Sequence, residues 1–328
     1  MLYPLKFKPI FKDKIWGGRK IKTLLGMDYG ELPNCGEVWL VSGYDAEQSV
    51  VTNGFLEGNE LNELVEVYMG ELVGEKIFAR FGNEFPLLVK IIDSNDWLSI
   101  QVHPDDELAR KRNLDHGKTE MWYVLEADPD ARLISGFNQD VEVNTYQEYL
   151  KGQTIKDLLN IVHVEKDDVF FIPAGRVHAL GPGCLLAEIQ QTSDTTYRLY
   201  DWDRIDAAGM KRELHTEEAL AAIDFKKTSD CKTQYETELN KTTSLVASPH
   251  FVSRLIYADQ PVLKNIIELD SFVIYMVVEG ACSLKYEEGK IGMKLGETVL
   301  IPAAMGNIVI EPDGKLKLLE IFIDAARI

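Results

Sequence analysis

A repeated segment limits the possible folds of this sequence more than any other feature. Residues 167–180 read DDVFFIPAGRVHAL, and they align without a gap through Ile-Pro-Ala with residues 296–310, GETVLIPAAMGNIVI. Upstream of each copy, WYVLEAD at 122–128 resembles YMVVEGA at 275–281. Duplication of a small barrel or double-sheet unit is a natural way to build a chain with such a repeat. Two similar β domains are therefore predicted.

Short strand-like segments dominate the rest of the chain. EVWLVSG, FPLLVKII, EMWYVLEA and FVIYMVVEG are rich in Val, Ile, Phe and Tyr, and Gly, Pro, Asn or Asp lie at their ends. A mainly β, antiparallel protein is therefore predicted. Helical periodicity is found in residues 58–75, 145–162 and 215–223, and Thr216 is a candidate N-cap of the last segment.

The length of the chain allows two domains. Its 328 residues are 45% hydrophobic, which supplies enough apolar side chains for two cores. The Lys- and Thr-rich stretch 226–243 lacks a sustained apolar face and is the best linker candidate. We therefore expect a metal-binding catalytic domain at 1–225, with helical segments, and a second, metal-less domain at 226–328 that N-terminal strands can join.

Charge and cysteine usage narrow the classes of partner. Lys and Arg number 35 against 53 Asp and Glu, a formal charge of -18 that disfavours nucleic acid as a partner. The N-terminal residues do not resemble a signal peptide, and no apolar stretch approaches the length of a membrane span. The four cysteines form no CxxC motif, which fits reduced thiols. A cytoplasmic protein without a nucleic-acid or membrane partner is expected.

A row of polar residues occupies one face of the strand-like segment LSIQVHP. Ser99, Gln101 and His103 alternate with apolar neighbours, so they point to the same side of a strand. The row is either the solvated face of an antiparallel sheet or an interior face on which a bound ion or ligand satisfies the polar groups. Spacing alone favours the solvated face.

Two further side chains favour a metal site. Glu120 opens the strand-like segment EMWYVLEA, and His178 follows Pro-Ala-Gly in a tight turn of the same β unit. Together with the polar row they offer two imidazoles, one carboxylate and one amide oxygen, a set that suits a divalent transition metal with one exchangeable position. In the second copy of the repeat, Val273 and Asn307 replace Glu120 and His178. Only the first copy is therefore predicted to bind a metal.

Several charged residues accompany these candidate ligands. Lys90 lies within the apolar segment FPLLVKII, where it needs either a carboxylate partner or an anionic ligand. Lys118 precedes Glu120 by two residues, so it either faces the same way or is a solvated loop residue. Glu188 lies in an apolar segment, with Arg198 ten residues later. The aspartates near Arg198 are predicted to form a salt-bridge network.

The motifs together resemble a known family. DDVFFIPAGRVH resembles the second signature of the cupins. IWGG, LSIQVHPDD, GKTEMW, PAGRVHAL and AEIQQTSDTTYRLYDWDR, in this order, resemble the type I mannose-6-phosphate isomerases, in particular their short bacterial form. The resemblance runs from about Tyr3 to Arg204 and implies two cupin-type units, each a double-stranded β-helix or jelly roll, with a small helical insertion.

The resemblance also implies residue roles. It implies one zinc ion per chain, held by Gln101, His103, Glu120 and His178. It implies three catalytic residues, Glu188, Lys118 and Arg198. It implies two residues that hold the substrate phosphate, Ser99 and Lys90. The implied reaction interconverts mannose 6-phosphate and fructose 6-phosphate through a cis-enediol, in a monomer or homodimer.

The chain departs from the long-form members of that family at two points. It has Gly117-Lys118-Thr119-Glu120 where they have His-Lys-Pro-Glu, and residues 145–162 are the expected remnant of their large helical insertion. A metal-dependent cupin oxygenase and a non-catalytic sugar-binding cupin are the alternative functions. Gln101 in place of a second histidine argues against the oxygenase, and intact Lys118, Glu188 and Arg198 argue against the binding protein.

Overall fold

The computed structural model describes residues 2–205 and 209–327, and most of its regular structure is β. The strands are β1 (Ile10–Lys12), β2 (Glu37–Ser42), β3 (Leu87–Ser94), β4 (Ile100–Val102), β5 (Glu120–Ala127), β6 (Arg132–Phe137), β7 (Leu159–His163), β8 (Val169–Ile172), β9 (His178–Leu180), β10 (Cys184–Gln191), β11 (Tyr197–Tyr200), β12 (Lys241–Ala247), β13 (Val252–Ala258), β14 (Val262–Asn265), β15 (Val273–Glu279), β16 (Ala281–Tyr286), β17 (Gly289–Lys294), β18 (Thr298–Ile301), β19 (Asn307–Pro312) and β20 (Leu316–Phe322). The α-helices are α1 (Lys20–Thr23), α2 (Leu61–Val73), α3 (Glu75–Phe81), α4 (Asp106–Lys111), α5 (Val143–Lys151) and α6 (Thr216–Leu220). The predicted mainly β class is confirmed. Within the described residues, no helix combines the length and the apolar composition that crossing a membrane requires.

The chain forms two compact units that do not follow its linear order. We call them the core unit, formed by Met1–Ile10, Trp39–Val89 and Gln234–Ile328, and the site unit, formed by Phe11–Val38 and Lys90–Thr233. These bounds differ from the expected domains 1–225 and 226–328.

Backbone hydrogen bonds explain why early parts of the chain belong to the core unit. The amide of Leu5 donates to the carbonyl of Leu300 over 2.8 Å, and the amide of Ala303 donates to the carbonyl of Leu72 over 2.9 Å. The first contact ties the N-terminal residues, and the second ties α2, to the repeat in the C-terminal part of the sequence. Sequence periodicity does not reveal such pairings, because they join residues far apart along the chain.

The core unit contains two antiparallel sheets around one hydrophobic core. Their strand orders are β12-β13-β20-β15-β18 and β14-β19-β16-β17. Side chains from both sheets form the core, among them Ile256 and Tyr275 from the first sheet and Leu284 and Ile310 from the second, all at most 1% exposed. This is the double-sheet arrangement predicted for each copy of the repeat.

The site unit is also built on two sheets. One sheet has the order β1-β2-β3-β10-β5-β8, in which β10, β5 and β8 lie wholly in this unit, and the other has the order β11-β4-β9-β6-β7. Trp122, Phe170 and Leu186 belong to the apolar cluster of the first sheet, and Ile100 and Leu199 to that of the second.

Strand register confirms the internal repeat. Glu120 pairs with Ile172 at the start of β5, and Val273 pairs with Ile301 at the start of β15. Both isoleucines precede Pro-Ala, so the two Ile-Pro-Ala elements occupy equivalent places. Val273 is fully buried in the core, so an apolar side chain has replaced a potential ligand.

The helical prediction for residues 145–162 is confirmed for α5 and for a short 3-10 helix at Ile155–Leu158, and it is wrong for the last residues. Helix α5 ends at Lys151, because Gln153 has a left-handed backbone with φ of +58°. Residues 159–163 form strand β7, in which Ile161 pairs with Ile134 of β6. The apolar residues there are compatible with either structure, and cross-strand hydrogen bonding decides between them.

The predicted cap of the last helix is also corrected. Thr216 is the first residue of α6, His215 is its N-cap, and no side chain caps the helix. The predicted helix at 58–75 is present as α2, which ends at Val73, and α3 follows after Gly74.

Candidate active site

A buried cluster of two histidines and one glutamate lies in the site unit. One potential ligand atom from each of His103, Glu120 and His178 lies within 4.8 Å of the other two, and all three residues are buried. The two carboxylate oxygens of Glu120 contact different imidazoles: Oε2 lies 3.5 Å from Nε2 of His103, and Oε1 lies 3.3 Å from Nε2 of His178. Three residues far apart in the sequence thus converge on one point.

A tight turn positions His178 beside the polar row. Gly175 has a φ of +88°, which glycine adopts without strain, and its amide donates to the carbonyl of His103 over 3.0 Å. The turn therefore delivers His178 to the start of β9, where it pairs with Gln101 of β4. Glu120 is delivered by β5, whose first residue it is.

Backbone carbonyls orient both imidazoles. Nδ1 of His103 lies 2.9 Å from the carbonyl oxygen of Thr195, and Nδ1 of His178 lies 2.8 Å from that of Arg176. A carbonyl oxygen only accepts, so both Nδ1 atoms donate and both Nε2 atoms present a lone pair to Glu120. Burial and the charge of Lys118 lower the pKa of His103 to about 3, and burial also lowers the pKa of His178. Neutral imidazoles with a fixed tautomer are suitable metal ligands.

The carboxylate of Glu120 fits a cation site. Both of its oxygens are buried, and neither accepts a well-directed hydrogen bond from any described residue. Nζ of Lys118 nevertheless forms an ion pair with Oε2 at 2.8 Å and lies 3.3 Å from Nε2 of His103. Burial alone would raise the pKa of Glu120, but the positive charge of Lys118 opposes it, and that pKa lies well below its ordinary value. An anionic carboxylate between two imidazole lone pairs is a donor set that a divalent metal satisfies.

The polar row faces the interior, so the solvated-face interpretation is wrong. Ser99 is 3% exposed and His103 is 1% exposed. Nε2 of Gln101 lies 3.2 Å from Nε2 of His178, and Oε1 of Gln101 lies 3.3 Å from Oγ of Ser99. Half a turn of the terminal amide exchanges its oxygen and nitrogen, so Gln101 can present its oxygen to the cluster.

A cavity of about 240 Å³ opens beside the cluster. Of the sequence-predicted residues, those that line it are Lys90, Ser99, Gln101, Lys118, His178, Glu188 and Arg198. His103 and Glu120 complete the set from the buried cluster. The structure therefore gathers all nine predicted site residues around one place in the site unit.

Glu188 is a second buried carboxylate, and two side chains hold it in place. Its Oε2 accepts a hydrogen bond from Nε1 of Trp122 over 2.8 Å, and its Oε1 lies 3.4 Å from Nζ of Lys90. Burial and the negative charge of Glu120 raise the pKa of Glu188, against the opposing charges of Lys118 and Lys90. A carboxyl group whose pKa is shifted toward neutrality can both take up and return a proton.

The sequence predicts that Lys90 needs either a carboxylate partner or an anionic ligand. The structure provides a carboxylate partner. The side chain of Lys90 is 4% exposed and forms the ion pair with Glu188. Because Lys90 and Ser99 also line the cavity, the ion pair does not remove either residue from the reach of a ligand.

Arg198 lies in β11, directly across from Gln101 of β4. Its Nη1 donates to the carbonyl of Glu213 over 2.8 Å, while its buried Nε has no hydrogen-bond partner among the described residues. The predicted salt-bridge network is present nearby: Asp201 binds Arg204 over 2.6 Å and also binds Arg212.

Trp122 and Arg212 are two of the cavity-lining residues that the sequence analysis does not identify. Trp122 holds Glu188 and packs its ring against His178, with centroids 5.4 Å apart. Strand alternation places Trp122 on the same face as Glu120, and this is the signal that could have found it. Arg212 lies in an irregular segment, and no sequence periodicity marks it.

Comparisons with known proteins identify relatives of this chain. The sequence model described as phosphomannose isomerase type I, catalytic domain, matches residues 4–134. The mannose-6-phosphate isomerase ManA of Bacillus subtilis strain 168 is 36% identical over 318 residues, which cover 94% of this chain and 96% of that protein. A mannose-6-phosphate isomerase of Streptococcus mutans serotype c is 38% identical over 308 residues, 92% of this chain and 93% of that protein.

The fold agrees with a solved relative. A crystal structure of the mannose 6-phosphate isomerase from Bacillus subtilis matches with a TM-score of 0.86 and 32% identity, over 97% of this chain and 99% of that one. With the sequence identities and the full-length coverage, this match shows that the chain belongs to the type I phosphomannose isomerase family.

Proposed function

We propose that this protein interconverts mannose 6-phosphate and fructose 6-phosphate in the cytoplasm. The observation that carries the proposal is the buried His103–Glu120–His178 cluster beside a cavity that contains a second buried carboxylate, Glu188. Relatives that align over nearly the whole chain bear the name of this activity.

We assign one Zn²⁺ per chain to the cluster, with Gln101 as the fourth and weakest ligand. Two imidazole nitrogens, one carboxylate and one amide oxygen suit zinc and leave room for an exchangeable ligand. When bound, the metal would supply Lewis acidity that stabilises negative charge on a substrate oxygen. The fixed Nε2 lone pairs and the anionic Glu120 are the features of this chain that prepare the site for it.

Glu188 is assigned as the residue that moves the proton between C1 and C2. An aldose and a ketose interconvert through a cis-enediol when one base removes the proton from one carbon and returns it to the other. The hydrogen bond from Trp122 and the ion pair with Lys90 hold the carboxylate in one orientation. Its raised pKa keeps the protonated form accessible after the first transfer.

The cationic residues around the cavity assist this step. Lys118 contacts Glu120 of the cluster and also lines the cavity. From there it can donate a proton to the ring oxygen during ring opening and stabilise charge on the enediol. Arg198 is assigned to the same stabilisation. Ser99 and Lys90 are proposed to contact the substrate phosphate, whose binding helps to position the reacting carbons.

A coupled assay on both sugar phosphates, before and after chelation, tests the proposal. We expect activity to disappear with the chelator and to return with Zn²⁺. Glu188→Gln should abolish turnover while zinc content stays at the wild-type level, because Glu188 is not a ligand. Glu126→Gln, a matched change outside the cavity, is the control. Oxygen consumption by the protein, or full turnover by Glu188→Gln, would contradict the assignment.

A further inference from the structure

We propose that Arg212 binds the phosphate of the substrate and positions it relative to the metal cluster. The inference rests on the proposed function and adds a residue that the sequence motifs do not mark. Arg212 lines the same cavity as Gln101, Glu188 and Arg198. It lies in the irregular segment between β11 and α6, outside the strands that carry the other site residues.

Most of the other cations at this cavity are matched by carboxylates. Lys90 pairs with Glu188, and Lys118 pairs with Glu120 over 2.8 Å. Nζ of Lys14 lies 3.2 Å from Glu37, a residue that also lines the cavity. Lys90 can still contact the phosphate as proposed, but these three paired lysines together bring little uncompensated positive charge to a dianionic group.

The arginines leave an excess of positive charge. Arg212 shares the carboxylate of Asp201 with Arg204, and its Nε donates to Oδ2 of Asp201 over 2.7 Å. Arg198 forms no ion pair with a described carboxylate, and its Nε lacks a hydrogen-bond partner in the described part of the chain. The nearby positive charge of Arg212 adds to burial in lowering the pKa of Arg198. Two guanidinium groups held near each other at a cavity are stabilised by an anion that both can contact.

Two further carboxylates, Asp194 and Asp201, are potential partners of these arginines. Asp194 also lines the cavity, is exposed, and interacts electrostatically with Lys12 and Lys118. Asp201 is fully engaged by its two arginines. Asp201 and Glu213 also act electrostatically on Arg198, but no described carboxylate forms an ion pair with it.

The strand register places Arg198 two strands from His178, with the proposed ligand Gln101 between them. Arg198 pairs with Gln101, and Gln101 pairs with His178, so the three residues form a row across β11, β4 and β9. Two strand spacings amount to about 10 Å. A sugar whose C1 and C2 oxygens lie at the cluster would extend its 6-phosphate toward the arginine end of this row.

The test compares Arg212→Gln with a charge-matched neighbour. We expect Arg212→Gln to raise KM for mannose 6-phosphate about tenfold and to raise Ki for inorganic phosphate similarly, which corresponds to about 1.4 kcal/mol. kcat should change less than about threefold, and zinc content should not change. Lys211→Gln removes the same charge from an exposed residue paired with Asp203, and it should leave both constants within about twofold of wild type.

A second variant keeps the test decisive if Arg212→Gln fails to fold. Arg212→Lys retains the charge next to Asp201 but loses the two-pronged guanidinium, so Ki for inorganic phosphate should rise by a smaller factor, about threefold. An unchanged Ki in the variants, or a loss confined to kcat, would overturn the inference. A wild-type protein that isomerises neither sugar phosphate would instead overturn the proposed function.

Discussion

Two of the three neighbours that favour the ionised form of Glu188 are not among the proposed catalytic residues. The ammonium of Lys90 and the indole N–H of Trp122 both favour the ionised carboxylate, whereas burial and Glu120 favour the protonated one. The balance leaves the pKa of Glu188 above its ordinary value. The reactivity proposed for this residue therefore depends on side chains that touch no reacting atom.

Replacement of Lys90 should move the acid limb of the pH profile. If Glu188 acts as a base, kcat falls as pH drops through the pKa of Glu188. Lys90→Met removes a charge that lowers this pKa, so the acid limb should shift to higher pH, and activity should recover at alkaline pH. The measurement is kcat against pH at saturating substrate. Loss of a contact between Lys90 and the substrate would alter KM, so it would not be mistaken for a shifted pKa.

The control for that profile is another lysine at the same cavity. Lys14 pairs with Glu37 and not with Glu188, so Lys14→Met should shift the acid limb far less. An acid limb that stays in place in Lys90→Met, or that moves to lower pH, would show that Glu188 is not the titrating base.

The sequence was sufficient to find the cluster and insufficient to find Arg212. Gln101 and His103 follow strand alternation, and Glu120 and His178 occupy strand starts next to recognisable turns. Those are local patterns, so they can be read from a single sequence. Arg212 reaches the cavity through an irregular segment, and its position depends on the ion pair with Asp201. Only the three-dimensional structure shows that pairing.

At the scale of elements, β6 links the stability of the sheet to the placement of His178. Ser135 of β6 pairs with His178, and the register of β6 is irregular between Ile134 and Phe137. Gly136 lies inside that irregularity with a φ of +71°, and a Cβ added there would lie 1.9 Å from Oγ1 of Thr228. The irregularity therefore requires glycine for both its backbone conformation and its lack of a side chain.

Gly136→Ala should destabilise the protein by about 2–4 kcal/mol, since left-handed strain and a steric clash add together. Urea unfolding monitored by circular dichroism measures the change. Gly30→Ala separates the two causes, because Gly30 has a φ of +65° but no atom within 4 Å of an added Cβ. That control should cost only about 1 kcal/mol. Equal losses in the two variants would show that the contact with Thr228 is not a source of destabilisation.

Strand elements were predicted more accurately than helical ones, for a physical reason. EMWYVLEA forms β5 and most of FPLLVKII lies in β3, and both contain several of the β-branched or aromatic residues that strands favour. Residues 159–163 carry an apolar pattern that fits helix or strand, and the pairing with β6 settles the outcome. Local propensity cannot include that partner, so the boundary at Gln153 was missed.

For the whole molecule, the duplicated fold predicts a stoichiometry. The site unit holds the histidines and glutamate, whereas the equivalent positions of the core unit hold Val273 and Asn307. We expect one Zn²⁺ per chain by elemental analysis of the purified protein. His178→Ala should bring the content close to zero, because no second group of potential ligands is found among the described residues of the core unit.

Removal of the metal should also lower the thermal midpoint. A metal that binds only the folded state stabilises it by about 2.7 kcal/mol at one hundred times Kd, so chelation should reduce Tm by several degrees and Zn²⁺ should restore it. The same chelator should leave Tm of His178→Ala unchanged. A second equivalent of bound zinc, or a chelator effect in His178→Ala, would be inconsistent with a single site.

The path of the chain through the two units has a consequence for biosynthesis. All four proposed ligands are present once residue 178 has been made, and the site unit is complete at Thr233. The hydrogen-bond partner of Leu5, by contrast, is Leu300, which is made after the whole site unit. During synthesis the metal-binding unit can therefore fold before Leu300, the partner of Leu5, has been made. Early loading of zinc would then precede completion of the fold.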